Sequence, residues 1–347
     1  MKKEILIYNR YENPHVIDDI DSYEPNIILF FCGHETTFPF PYNAKNLIEQ
    51  ESIRKLFEKK VYDKKIKVYV ILGSEEGLKN LDDIFLSDYI EYLYWPTFLL
   101  HQTFYITDNQ KIIEKKEKLN KLFSFYNMKP RYHRSMFIDF IYKNNLFKFG
   151  NITWNVLTKD YNNKKYDFKF WNETILHVKD NTYFHYDLNF FNDDSLFHII
   201  GETDRNKNFI TEKTYKTILI GKPFIVVGAK NSNLNLKKYG FKLYDELFDY
   251  SFDKEDNLEK RINRIIENII NLKNKDYDNL LLKIKDKIEF NKKRYFEILE
   301  KDNYIPKIFL KLYFEYEEYF EEKINKKEFP SILKIILNKN KKLNKLI

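Results

Sequence analysis

Apolar positions along the first third of the chain fall into short compact runs separated by polar stretches. Residues 5–8, 27–32 and 67–72 are rich in Ile, Val, Leu and Phe, and turn or charged residues bound each run. That is the pattern of buried strands. Between the last two, residues 46–60 are polar, with Leu47, Ile48 and Leu56 as apolar positions, which suits a helix lying on a sheet face. Strands alternating with helices predict a parallel sheet with crossovers. Two of the runs lead into a glycine, Gly33 and Gly73. Ligands of such sheets bind beyond the carboxyl ends of the strands.

A highly charged stretch, residues 109–121, reads as a linker, after which the alternation resumes. Residues 122–126, 196–200 and 223–228 are predicted strands. Residues 131–143 are predicted as a helix with Met136, Phe137, Phe140 and Ile141 inward, and 211–220 as another. The expected fold class is α/β: two Rossmann-like domains facing a central cleft. The expected domains are an N-terminal acceptor-side half (1–115), a C-terminal nucleotide-binding half (116–300) and a helical segment (301–347). The last 17 residues, 331–347, contain five lysines and no acid, the composition of a solvated basic tail.

Composition narrows the class. A length of 347 residues fits about two domains. With 43% hydrophobic residues, 31 Phe and 27 Tyr, the chain is not a disordered one. Its longest clean apolar run, 27–32, is far short of the roughly 20 residues of a membrane span. The single cysteine, Cys32, excludes a disulfide framework and a cysteine zinc site. The start, MKKEILIYNR, is not a signal-peptide pattern. The expectation is a cytoplasmic protein, which includes the host cytoplasm of a virus or phage. A net charge of +7 points weakly to nucleic acid. The same excess of Lys, Asn, Ile, Phe and Tyr over Ala and Gly follows from A- and T-rich codons.

The most informative feature is where cations sit. A helix N-terminus carries a partial positive charge and disfavours bases. Yet after the strand LFSFY, Pro130 opens a helix with Arg131, His133 and Arg134 in or near its first two turns. After the strand LFHII, Thr211 is a good N-cap. Glu212 and Lys213 then fall in the first turn, with Arg205 and Lys207 in the loop before it. Two such clusters at strand ends cost stability unless an anion arrives, and orphan N–H groups at helix starts bind phosphate. A diphosphate, as in a nucleotide, would satisfy both; solvated cations are the plainer alternative. Glu212 is not a capping-box partner, because position three holds Thr214. It either favours the helix dipole or accepts from ribose hydroxyls.

The segment ITEKTYKTILIGKPFIVVG resembles the donor-binding motif of the α1,3-fucosyltransferases, and also related transferases of phages and giant viruses. The upstream FSFYNMKPRYHRSMFIDFIYKNNLFKFGNITWN is similar to that family's strand, loop and Arg-led helix. The resemblance spans about residues 122–249. It implies a GT-B fold, with the donor-binding arginine at Arg134 and the Glu–Lys pair that holds ribose and diphosphate at Glu212 and Lys213. The loop GETDRNKNF is less Gly-rich than the family's, and VVGAK replaces a Trp-containing segment, so fucose itself is not implied.

Such an enzyme transfers a sugar from a nucleotide-sugar to an acceptor hydroxyl, with inversion implied by the family. Arg134 and Lys213 would stabilise the departing diphosphate. No metal or other cofactor is then expected. The candidate general bases are His34 and Glu35, after the strand 27–32, with Glu75 and Glu76 second. Asp19 with Asp21, and Asp193 with Asp194, are acid pairs that do not follow a strand as a metal site would. The acceptor is a glycan or other hydroxyl. One alternative is DNA carrying a hydroxymethylated base, which would need base flipping. Another is a non-enzymatic nucleic-acid-binding protein.

Overall fold

In a computed structural model, the described residues are 4–9, 16–31, 47–72, 88–94, 118–127, 131–154, 192–203, 205, 208, 210–298 and 306–325. The chain divides into two compact units, Met1–His101 with Asn303–Ile347, and Gln102–Asp302. No helix among the described residues is long and apolar enough to cross a membrane.

The first unit holds β1 (Ile5–Asn9), β2 (Ile27–Phe31), β3 (Lys67–Leu72) and β4 (Ile90–Tyr94), all parallel in the order β1-β2-β3-β4. Helices α1 (Val16–Tyr23) and α2 (Leu47–Asp63) connect the first three strands. Leu6, Tyr8, Ile28, Phe30, Val68 and Val70 alternate along the strands and pack with Val16, Ile20, Phe57 and Val61. Ile5, Ile7, Leu29 and Ile71 are buried as well. Burial of both strand parities is the condition under which parallel sheets occur. One expectation needs correction: Leu56 is 45% exposed. Phe57 and Val61, four apart on one helix face, set the rotation of α2, and Leu56 lies about 100° round from Phe57. Helices α8 (Lys307–Glu315) and α9 (Glu317–Asn325) belong to this unit, and the Tyr316 hydroxyl donates to Glu4 Oε2 at 3.3 Å.

The second unit holds β5 (Lys121–Asn127), β6 (Gly150–Trp154), β7 (Ser195–Gly201) and β8 (Phe224–Val227), parallel in the order β6-β5-β7-β8. Among its described residues the α-helices are α3 (Tyr132–Lys143), α4 (Glu212–Leu219), α5 (Ser232–Leu236), α6 (Leu258–Leu272) and α7 (Tyr277–Glu297). β7 is buried along its whole length, as the run SLFHIIG requires of a central strand. α3 buries Met136, Phe137, Ile138 and Ile141, whereas Phe140 is only half-buried, contrary to expectation. α3 packs on α6, and α4 on α7. α6 presents Ile262, Ile265, Ile266, Ile269 and Leu272 at helical spacing.

This order contains a reversal. From β5 the chain runs through α3 to β6 on one side, then crosses back to β7 on the other side. Right-handed crossovers then carry α3 and α4 to opposite faces of the sheet. The carboxyl ends of β5 and β7 flank the reversal, where open α/β sheets bind ligands.

Candidate functional site

At the start of α4, Thr211 is the N-cap and its side chain accepts from the Lys213 backbone N–H. Lys213 Nζ also donates to Thr211 Oγ1, at 3.2 Å. Beneath them lies Glu202, the first residue after β7, only 1% exposed. Its Oε1 accepts from Thr211 N at 3.0 Å and Thr214 Oγ1 at 2.7 Å, and its Oε2 from Thr211 Oγ1 at 2.5 Å. The helix start therefore already has a hydrogen-bond acceptor of the chain's own, which takes up the Thr211 N–H and two threonine hydroxyls.

Glu202 is also where the other helix start arrives. Arg131 is the N-cap of α3, exposed and without a side-chain cap bond. His133 and Arg134 follow, 2% and 4% exposed. His133 Nε2 lies 2.8 Å from the Glu202 backbone oxygen, and Arg134 Nη2 donates to the same oxygen at 3.0 Å. Burial first, and the Arg134 charge second, push the His133 imidazole down to about 3. A neutral ring with Nε2–H donating fits that carbonyl. His133 is thus no cation at neutral pH, a correction to its place in the expected cluster. Arg205, from the loop before α4, lies over the Tyr132 ring at 4.3 Å from its centroid.

Gly201 is a glycine because of its neighbours. A Cβ there would stand 2.8 Å from Asn127 Oδ1 and 3.0 Å from Arg134 Cγ. The missing side chain makes the room in which Arg134 lies.

Arg131, Arg134, Arg205, Thr211 and Lys213 thus come from two helix starts and the loop before one of them. Arg134, Thr211 and Lys213 are linked through Glu202. Glu212 opens α4, while its side chain lies outside the described residues. So do His34, Glu35, Glu75, Glu76, Lys207, Gly33, Gly73 and the tail 331–347. The sequence reading missed Glu202. Its only signal was an acid directly after a strand-ending glycine.

The acid pairs have other partners. Asp19 accepts from Tyr8, and Asp21 from Lys60 and Lys64. Asp193 is buried before β7, where Ser195 Oγ donates to it at 2.6 Å, and Ser124 and Tyr126 also donate. Lys222 Nζ and His198 Nε2 each lie 3.7 Å from Asp193 Oδ1. Burial pushes the Asp193 carboxyl up, but His198, Lys222 and Ser124 outweigh it and hold it well below the usual carboxylate range.

No protein-family model and no curated protein sequence matches the chain. Three solved structures are similar to it. A crystal structure of an α1,3-fucosyltransferase has 10% identity and a TM-score of 0.34, over 82% of this chain and 90% of that one. An α1,3-fucosyltransferase with GDP has 11% identity and a TM-score of 0.36, over 83% and 78%. An α1,3-fucosyltransferase with GDP-fucose has 10% identity and a TM-score of 0.33, over 83% and 91%. At these values the likeness assigns neither sugar nor acceptor to this chain.

Proposed function

We propose that the chain is a glycosyltransferase that moves a sugar from a nucleotide-sugar to an acceptor hydroxyl. One observation carries this: two helix starts, at the strand ends flanking the sheet reversal, are joined at Glu202 with Arg134 on one side and Thr211–Lys213 on the other. Such a junction suits a diphosphate. The guanidinium of Arg134 is a planar fork whose geometry matches phosphate oxygens. Lys213 supplies a point charge and α4 its N-terminal dipole. Glu202 occupies the buried side of the helix start and leaves its outer side to the ligand.

As the bond between the anomeric carbon and the diphosphate breaks, negative charge grows on the leaving oxygen. Arg134 and Lys213 stabilise it in place. A general base takes the acceptor proton, and His34 and Glu35 are the candidates the sequence offers for it. Attack on the face opposite the leaving group gives inversion. This chemistry does not call for a metal, and transfer in chelator tests that. The acceptor is a glycan or another hydroxyl. A hydroxymethylated base in DNA would show itself by duplex binding that weakens steeply with salt.

The decisive experiment is a thermal-shift panel of nucleoside diphosphates and nucleotide-sugars, beginning with GDP and GDP-fucose. At least one nucleotide-sugar should raise the melting temperature, because a ligand that binds only the folded state stabilises it. Lys213→Ala should weaken that ligand about tenfold, the worth of one charge-assisted hydrogen bond. A panel without a single shift would end the proposal.

A further inference from the structure

β5 ends on Asn127, which is 3% exposed. Its backbone N–H donates to Thr153 Oγ1 at 3.1 Å. Among the described residues, neither Nδ2 nor Oδ1 of its side chain has a hydrogen-bond partner. A buried amide with both groups unmet destabilises the empty protein, since it has lost water and gained nothing. Folds carry such groups rarely, and each asks for a cause.

The position supplies one. Asn127 Oδ1 lies 2.8 Å, and Arg134 Nε 3.1 Å, from the point where a Cβ on Gly201 would sit. The amide therefore turns into the same space as Arg134, at the adjoining ends of β5 and β7. Phosphate oxygens only accept hydrogen bonds, and Arg and Lys answer them completely. An amide offers a donor and an acceptor side by side. Its complement is a group that also does both, which is a hydroxyl.

We infer that Asn127 is a donor-binding residue whose amide hydrogen-bonds a sugar hydroxyl of the nucleotide-sugar, next to the diphosphate. This rests on the proposed function and assigns a specificity role to a residue outside the cation clusters. The amide's unmet bonds discriminate against ligands lacking that hydroxyl.

The test is Asn127→Leu, which keeps the volume and removes both polar atoms, measured against inorganic diphosphate, GDP and GDP-fucose, or the nucleotide pair selected by the panel. The melting temperature of the empty protein should rise. Affinity for the nucleotide-sugar should fall about tenfold while inorganic diphosphate binds as before. Equal losses for GDP and GDP-fucose would assign the hydroxyl to the ribose, and a loss for GDP-fucose alone to the transferred sugar. A lower melting temperature with all affinities unchanged would overturn the inference, since the amide would then be satisfied by internal water. Equal loss for inorganic diphosphate would overturn it too, placing the amide on phosphate. If leucine does not fold, Asn127→Ala gives the same affinity comparison. Wild-type protein that binds none of the probes defeats the proposed function itself, and wild type that binds beside an unaltered variant defeats only this inference.

Discussion

Arg134 donates to the backbone carbonyl of Glu202 at 3.0 Å, although the two residues belong to different strand–helix connections. The same Glu202 holds Thr211 and Thr214 through its carboxylate. One residue therefore fixes α3 with its backbone and α4 with its side chain. A site built this way is set before a ligand arrives, which is what electrostatic stabilisation of a leaving group needs.

Glu202→Ala removes the acceptor for two buried hydroxyls and one backbone N–H. Stability should fall by about 2–3 kcal/mol, the scale of stranding buried donors. Glu202→Gln keeps the volume and one oxygen and should lose less. Urea unfolding checks this as a lower midpoint at unchanged slope. An alanine variant as stable as wild type would mean that Glu202 does not hold the junction.

Two glycines separate site from scaffold. At Gly201 a methyl group meets Asn127 and Arg134, and at Gly150 it meets the Phe123 ring. Both Gly→Ala changes overpack a buried place and should cost about 1–3 kcal/mol. Only Gly201→Ala should also weaken nucleotide-sugar binding. Calorimetric titration of the two variants decides, and equal affinity losses would refute the separation.

His133 gives a pH signature. Its folded value of about 3 lies below the ordinary 6.5 of an unfolded histidine. Below pH 6.5 the unfolded chain takes up a proton that the folded ring refuses. Stability is therefore lost as pH falls from 6.5 toward 3, by up to about 1.4 kcal/mol per pH unit. His133→Gln, which can still donate to the Glu202 carbonyl, should remove that loss. Denaturation of both proteins from pH 7 to pH 3.5 tests it; parallel curves would show the histidine free to charge.

Asp139 on α3 works in the opposite direction. Burial raises its carboxyl to about 6, above the usual 3.8, and Lys143 offsets this only in part. The folded state then carries an unfavourable charge above pH 6, and stability is regained as pH falls toward 4. Asp139→Asn should melt higher than wild type at pH 7, with the gain gone below pH 4. A gain that persists at pH 3.5 would have another origin.

The central strands and the helices α3 and α4 were legible because they are compact or strongly patterned. β5, β7 and β8 are apolar runs, and Thr211 caps α4 as its side chain suggests. β6 escaped notice because polar residues hold it: Thr153 accepts from Asn127, and Asn151 donates to Asp194 at 2.9 Å. Leu56 and Phe140 misled because each adjoins the buried stripe of its helix. The charges were visible, but their states were not. Burial makes His133 neutral, and only the assembled sheet brings Glu202 beneath Thr211.

The buried pair Asp193–Lys222 tests whether the two ends of this sheet are independent. It lies before β7, whereas the candidate site lies beyond that strand's other end. Lys222 Nζ donates to the backbone oxygens of Asp193 and Ser195 and stands 3.7 Å from the Asp193 carboxylate. Lys222→Met takes the ammonium from a buried carboxylate, which keeps Ser124, Tyr126 and Ser195 as donors, and from two backbone oxygens, and should cost about 3–5 kcal/mol. Asp193→Asn leaves the ammonium its two carbonyls but only one oxygen for Ser124, Tyr126 and Ser195, and should cost a similar amount. Because the residues share one network, the double variant should be more stable than the sum of the singles implies, by at least about 1 kcal/mol. Since Asp193 is held below the usual carboxylate range, its stabilisation should fade as pH drops below about 4, and the single–double differences should shrink with it. Nucleotide-sugar affinity should stay at the wild-type value in every variant that folds. An affinity that fell in step with stability would show that this network positions β7, and with it Gly201 and Glu202, for the ligand.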